Sequence, residues 1–301
     1  MNSFASELQS LAWAMEPRAL EALLERVGSV SQAQIDHTVR AITEKGSLLE
    51  RLHAKTGDRS INTIRRVADV SDESLDVRNG VARIQIAGPM MKQVPSILNW
   101  LGVKATSTEA VREQIAMAVE SDRVESIELY VDSPGGTVDG TAALADDVRA
   151  AGELKPIKAV VPDLMASAAL WVGVQANEIE IGESAAVGSI GVYTVVDDVS
   201  RAFSKQGIET HVVSSHELKG AGVKGSKITP AQLADIQRNI DTYTDLFVSA
   251  VAHGRGMSVD AVREIATGQM WIGVEAMEAG LADRVGAVGS IGGGSSDMAA
   301  A

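Results

Sequence analysis

The sequence predicts an α/β domain with largely parallel strands, preceded by a helical N-terminal arm. Two observations predict it. From about residue 80 onward, strand-like alternation and helix-like periodicity take turns along the chain. The strands end in turns of glycine or small residues, as strands do when a helix must return the chain to the same sheet. In such sheets, sites form at the carboxyl ends of the strands.

Residues 1–56 read as the arm. Leu8, Leu11, Ala12 and Met15 recur at helical spacing, and Pro17 suits the first turn of a second helix carrying Leu20, Leu23, Leu24 and Val27. A third pattern, with Ile35, Val39, Ile42, Leu48, Leu49 and Leu52, is broken by Gly46. This arm is expected to serve packing or oligomerisation. Residues 57–79, with Asp58-Arg59-Ser60 and Ser71-Asp72-Glu73-Ser74, read as a linker into a main domain over 80–286.

Within that domain Val81-Ala82-Arg83-Ile84-Gln85-Ile86 alternates as a strand does and stops at Gly88-Pro89. A helix is predicted over Thr108–Ser121. A strand through Ile127, Leu129 and Val131 ends at Asp132-Ser133-Pro134-Gly135-Gly136, and a helix follows from about Asp139 to Ala151. The strand Ile157–Val161 leads to Ala166-Ser167-Ala168-Ala169-Leu170-Trp171 and a further helix. Ile179 and Ile181 mark another strand, and Val187-Gly188-Ser189-Ile190-Gly191-Val192 reads as a glycine-framed turn into the next. His211-Val212-Val213 is also strand-like.

Thr229-Pro230-Ala231-Gln232 combines a Thr cap, Pro at the first helical position and Gln three residues after the cap. The long helix it opens carries Leu233, Ile236, Ile240, Tyr243, Phe247 and Val251 and ends near Gly254. Its stripe reads as core or subunit contact. Residues 287–301, with Gly292-Gly293-Gly294-Ser295-Ser296, read as a flexible tail.

Composition narrows the function classes. The 301 residues carry a net charge of −13, which disfavours nucleic-acid phosphates and anionic lipid surfaces. Without cysteine there is no disulfide, thiolate metal site or cysteine nucleophile. His37, His53, His211, His216 and His253 form no metal-binding pair, so no metal is expected. No stretch approaches the roughly 18–20 apolar residues of a membrane span, and no secretion signal opens the chain. The expected location is the cytoplasm.

Ser167 follows a predicted strand and lies in the first turn of a predicted helix, where free backbone N–H groups and the helix dipole favour a developing oxyanion. A plain N-cap serine explains the same position. Gly135 and Gly136 let the backbone approach a ligand closely, or simply turn. A nucleophilic serine needs a base. No histidine is placed for it, so lysine becomes the candidate, because burial can bring an amine into the neutral range. Lys219, Lys224 and Lys227 all lie on one glycine-rich loop, and spacing does not choose among them.

In order, the chain carries the Pro-Gly-Gly turn, the segments around Ser167 and Ser189, Lys219, Gly268-Gln269-Met270-Trp271-Ile272-Gly273, and Ala276-Met277-Glu278-Ala279-Gly280-Leu281-Ala282-Asp283. From about Val81 to Gly286 it resembles the signal-peptide-peptidase-A family of serine peptidases. That resemblance implies a Clp-protease/crotonase-like fold of repeated ββα units. It also implies Ser167 as nucleophile, Lys219 as general base, the amides of Gly136 and Ala168 as oxyanion donors with Gly135 in support, and Ser189 holding the lysine. It implies peptide or protein substrates, no cofactor, and a homo-oligomer in which the lysine can come from a neighbouring subunit. Ala168 and Ala169 depart from the glycines of many members. The absent anchor and the opening Leu11-Ala12-Trp13-Ala14-Met15-Glu16-Pro17 look more like the tailed-phage branch of capsid-assembly (prohead) proteases. Those act on scaffolding, portal or capsid proteins in the host cytoplasm or the procapsid. The alternatives are a cytosolic signal-peptide or oligopeptide peptidase, a crotonase-type acyl-CoA enzyme, and a non-catalytic assembly protein.

Overall fold

The computed structural model describes residues 13–15, 17–30, 75–95, 98 and 102–288. The third helical pattern of the arm, the linker over 57–74 and the tail beyond 288 fall outside those residues. In chain order the described elements begin with β1 (Trp13–Met15), α1 (Pro17–Gly28), β2 (Asp76–Arg78), β3 (Val81–Ala87), β4 (Met90–Met91), β5 (Thr106–Ser107) and α2 (Thr108–Glu120). Then come β6 (Ser126–Asp132), β7 (Gly135–Thr137), α3 (Thr141–Gly152), β8 (Ile157–Val161), β9 (Leu164–Ala166), α4 (Ala168–Gly173), β10 (Glu178–Gly182) and β11 (Ala186–Gly188). The chain continues through α5 (Ser200–Lys205), α6 (Pro230–Arg255), α7 (Val259–Ile265), β12 (Met270–Ile272), α8 (Val274–Glu278) and β13 (Arg284–Gly286).

The repeat is a long strand, a short strand in a second layer, then a helix, as in β6–β7–α3 and β8–β9–α4. The long strands form a sheet in the order β13-β10-β8-β6-β3-β2, parallel except for the β2–β3 pair. The short ones form two smaller sheets, β1-β7-β4-β5 and β12-β11-β9. The α/β reading with parallel strands and ββα units therefore holds.

One face of the large sheet is the core. Ala82, Ile84 and Ile86, Ile127, Leu129 and Val131, and Ile157, Ala159 and Val161 are each at most 1% exposed. Between them, on the other face, charged side chains pair across adjacent strands. Arg83 meets Glu128 at 3.1 Å and Lys158 meets Glu178 at 3.8 Å and also Glu180. Partly exposed pairs of this kind add little stability. Their consequence is a wet outer face, which is why these parallel strands alternate with period two instead of reading as continuous apolar runs. Against the apolar face, α2 buries Val111, Ile115 and Ala118, and α3 buries Leu144, Ala145, Val148 and Ala151.

Helix α6 starts as its sequence dictates. Thr229 Oγ1 accepts from Gln232 N at 3.2 Å and Gln232 Oε1 accepts from Thr229 N at 3.1 Å, closing the capping box. Only its C-terminal half is core, with Phe247, Val248, Val251 and Ala252 buried, whereas Leu233 is 50% exposed. No described helix is long and apolar enough to cross a membrane.

Three local expectations are corrected. Trp13–Met15 is a strand, not helix, because it finds a partner in β7. His211–Val213 forms no strand, having no neighbouring edge among the described residues, and Val213 is 98% exposed. The segment around Gly188 leaves strand β11 rather than entering one, and no strand lies between Ser189 and Gln269.

The end of α6 is clamped to the sheet. Arg255 donates from Nη2 to Asp283 Oδ1 at 2.6 Å and from Nε to Gly280 O at 2.7 Å, while Ile179 N donates to Asp283 Oδ2 at 2.7 Å. Partial burial alone would raise the Asp283 carboxyl, but the Arg255 guanidinium and the Ile179 N–H hold it below the usual carboxylate range. A carboxyl depressed by folding contributes stability that is complete above its unfolded pKa and is lost as pH falls through its folded one. Asp283→Asn is accordingly expected to lower the urea midpoint at neutral pH and to flatten its decline on acidification. Equal acid slopes in the two proteins would contradict this.

Candidate active site

Ser167 closes β9 and stands at the head of α4. Its backbone is fixed from both sides. Ala166 N donates to Ser133 O at 3.0 Å, Ser133 N to Leu164 O at 2.9 Å, and Ser167 N to Gly188 O at 2.8 Å. The resulting φ of 54° and ψ of −117° is a conformation that costs a non-glycine residue about 1–3 kcal/mol. Gly273 adopts φ 53° and ψ −117° at the head of α8, directly after β12. The same strand–corner–helix shape thus occurs twice, once with glycine and once with a strained serine. At Gly273 the close backbone of Glu183 also excludes a side chain.

The hydroxyl is not a capping group. Ser167 makes no side-chain cap bond, is 1% exposed, and its Oγ is buried without a hydrogen-bond partner. Leaving such a group unpaired costs about 1–3 kcal/mol. Next to it, Ala168 is the first helical residue, whose N–H has no partner within the helix. All six residues of α4 are buried, and Trp171 stacks on Phe247 of α6 with ring centroids 4.7 Å apart. Such a stack contributes about 0.5–1.5 kcal/mol beyond its area.

The Pro-Gly-Gly turn leads into β7, against which α4 packs. Ser133, fully buried, donates to Gly88 O at 2.7 Å and accepts from Gly135 N at 3.2 Å. The Gly135 amide is therefore committed to the turn. Sequence reasoning gave Ser133 no role, although a hydroxyl two residues before a glycine is a turn-forming signal. At Gly136 a Cβ would lie 1.8 Å from Met90 O, so only glycine fits between β4 and β7. Gly136→Ala is expected to destabilise the protein by about 3 kcal/mol, read from urea unfolding, because backbone must move. Unchanged stability would mean that β4 is free to shift.

Ser189 follows β11 as Ser167 follows β9, and Ala166 and Gly188 are register partners. It too has positive φ, 57°, and is buried. Its N–H donates to Gln269 O at 2.8 Å, so the motif Gly268–Gly273 acts by supplying β12, the strand that backs Ser189.

Lys219 lies on the irregular segment between α5 and α6, its N–H donating to His216 O at 3.1 Å. Lys219, Lys224 and Lys227 are all exposed. One chain thus brings Ser167, Ala168, Ser189 and the Gly135–Gly136 strand together and joins none of these lysines to the Ser167 hydroxyl. At the rim, Asp132 is exposed as a residue. Partial desolvation of its carboxyl, and then the field of Asp163, still raise it above its ordinary range. Among the described residues no group of three or more His, Asp or Glu could hold a metal.

Residues 149–291, which carry Ser167, Ser189, Lys219 and both C-terminal motifs, match the model of peptidase family S49. That match takes in 143 of the chain's 301 residues. Among curated proteins, the chain is 27% identical over 212 residues to capsid assembly protease C of Escherichia phage lambda, covering 70% of this chain and 48% of that one. It is 28% identical over 270 residues to the chloroplastic serine protease SPPA of Arabidopsis thaliana, covering 87% and 39%. It is 26% identical over 209 residues to the head-tail preconnector protein GP5 of Enterobacteria phage P21, covering 69% and 41%. The chain spans about half or less of the length of these three relatives.

Proposed function

We propose that the protein is a serine-type endopeptidase in which Ser167 is the nucleophile and Lys219 the base. The observation that carries this reading is the buried, unpartnered hydroxyl of Ser167 on a strained corner beside the head of α4. Ser167 Oγ attacks the scissile carbonyl carbon as its proton passes to the lysine amine, and the new oxyanion is held by the amides of Gly136 and Ala168. The C–N bond then breaks as the protonated amine returns its proton to the departing amino group. Water, deprotonated by the same amine, releases the acyl group from Ser167. Ser189 positions the lysine.

The lysine is supplied by a second copy of the chain. Two observations support that arrangement: all three candidate lysines are exposed in one copy, and their segment displays Ile208, Val212, Val213, Leu218 and Val223, each at least 41% exposed. A covering subunit would bury these residues and take the amine out of water, the condition under which a lysine serves as base.

The substrates proposed are capsid, portal or scaffolding proteins of a tailed phage, in keeping with the two phage relatives. The second reading, a signal-peptide or oligopeptide peptidase, is favoured by the 87% coverage of this chain in the match to SPPA. Co-expression with a capsid and scaffold mixture, followed by mass spectrometry, tests both. New termini should appear with Ser167 present and be absent with Ser167→Ala. Termini that persist in the variant would sink the assignment.

A further inference from the structure

Strand β7 has two edges, and both are taken. Met90 of β4 lies on one, in parallel register with Gly136. On the other, β1 runs antiparallel along its whole length, with Trp13 opposite Thr137, Ala14 opposite Gly136 and Met15 opposite Gly135. An extended peptide recognised by strand addition needs a free edge, since its affinity comes from main-chain pairing. Next to the helix that carries Ser167, β7 offers none.

We propose that Trp13–Met15 is an internal strap on the substrate edge of β7, so that an extended peptide pairs there, and meets Ser167, only when the strap leaves. This rests on the peptidase reading above. The way the strap is held fits a removable part. Its side of the molecule packs through a satellite cluster separate from the main core, in which Met15, Leu20, Leu23 and Val27 meet Met91 and Leu98. Tyr193, four residues past Ser189, packs on the same cluster. The cluster therefore ties the strap both to the Gly135–Thr137 side and to the segment leaving Ser189. A three-residue pairing over a small separate cluster opens locally, without unfolding the large core. With the strap in place, the Ser167 hydroxyl is buried.

The strap also states what displaces it. Its residue opposite Gly135 is Met15, 1% exposed. The substrate class is thus an extended peptide with a large, unbranched apolar side chain at that register position. Because the strap is tethered, it competes at an effective concentration of about millimolar, which sets the threshold a free peptide must exceed.

The chain contains no cysteine, which allows a clean lock. Directly opposed antiparallel residues have Cα atoms about 4.5–5.5 Å apart, within the range a disulfide bridges. A Trp13→Cys/Thr137→Cys double variant fixes the strap when oxidised and frees it when reduced. Met15→Asp opens it, because a carboxylate does not stay in the apolar cluster. The probe is a fluorescein-labelled peptide of residues 10–18, Ser-Leu-Ala-Trp-Ala-Met-Glu-Pro-Arg, with binding followed by anisotropy and turnover by a quenched version of it.

Binding is expected to be strongest in Met15→Asp, intermediate in the wild type and the reduced double variant, and at least tenfold weaker in the oxidised one. Equal binding by oxidised and reduced protein, or no binding by any form, overturns the strap. A disulfide that fails to form contradicts the pairing itself. Binding that follows the strap while no form turns the peptide over leaves the strap standing and removes the peptidase reading.

Discussion

Ser167→Ala is expected to fold as the wild type does and to hydrolyse peptides at least about 10⁴-fold more slowly, as removal of a nucleophile does in serine enzymes. The two halves of that expectation have separate causes. The hydroxyl makes no hydrogen bond, so its loss breaks no contact. The chemistry, by contrast, has no second oxygen at the head of α4. Ser167→Gly sharpens the test. Alanine keeps the strain of a side chain at φ 54°, whereas glycine relieves it, as Gly273 does at the matching corner. Glycine should therefore raise stability by about 1 kcal/mol over alanine, with both proteins equally inactive. Urea midpoints and kcat/KM decide. An active Ser167→Ala protein ends the mechanism, and equal midpoints for the two variants end the claim of strain.

Lys219→Ala is expected to lower kcat by about 10³-fold, within the range for loss of a general base. The more decisive result comes from mixing. If the lysine crosses a subunit contact, co-expressing Lys219→Ala with Ser167→Ala restores intact pairs. A contact in which a Lys219→Ala subunit gives the serine and a Ser167→Ala subunit gives the lysine holds one intact pair. Random assembly through a repeated head-to-tail interface gives activity in about a quarter of the sites. An inactive mixture would place both groups in one chain. Full activity of Lys219→Ala together with loss in Lys224→Ala or Lys227→Ala would move the base to another residue of the same loop.

Much of the fold was legible because the sequence obeys local rules. The long strands alternate since one face of their sheet stays wet, and helix α6 announces itself through Thr229, Pro230 and Gln232, whose hydrogen bonds close as expected. Trp13–Met15 was not legible. Its partner β7 lies 120 or more residues away, and Met15, buried in a satellite cluster, falls at helical spacing with Leu8 and Leu11. His211–Val213 failed the opposite way, since β-branched residues make a strand only where an edge is waiting. At the site, the segments at 167 and 135–136 stood out as turns after strands, while 189 was singled out only through the family resemblance. The backbone angles of Ser167 and Ser189, and the bond by which Ser133 commits the Gly135 amide, arise from tertiary contacts that no window of sequence contains.

The complete burial of α4 separates reactivity from admission. A serine backbone fixed at the head of six interior residues and a stacked indole would, as the proposed nucleophile, meet every reagent from the same position. Small acylating agents and long peptides should differ in how readily they are let in and hardly at all in how they react afterwards.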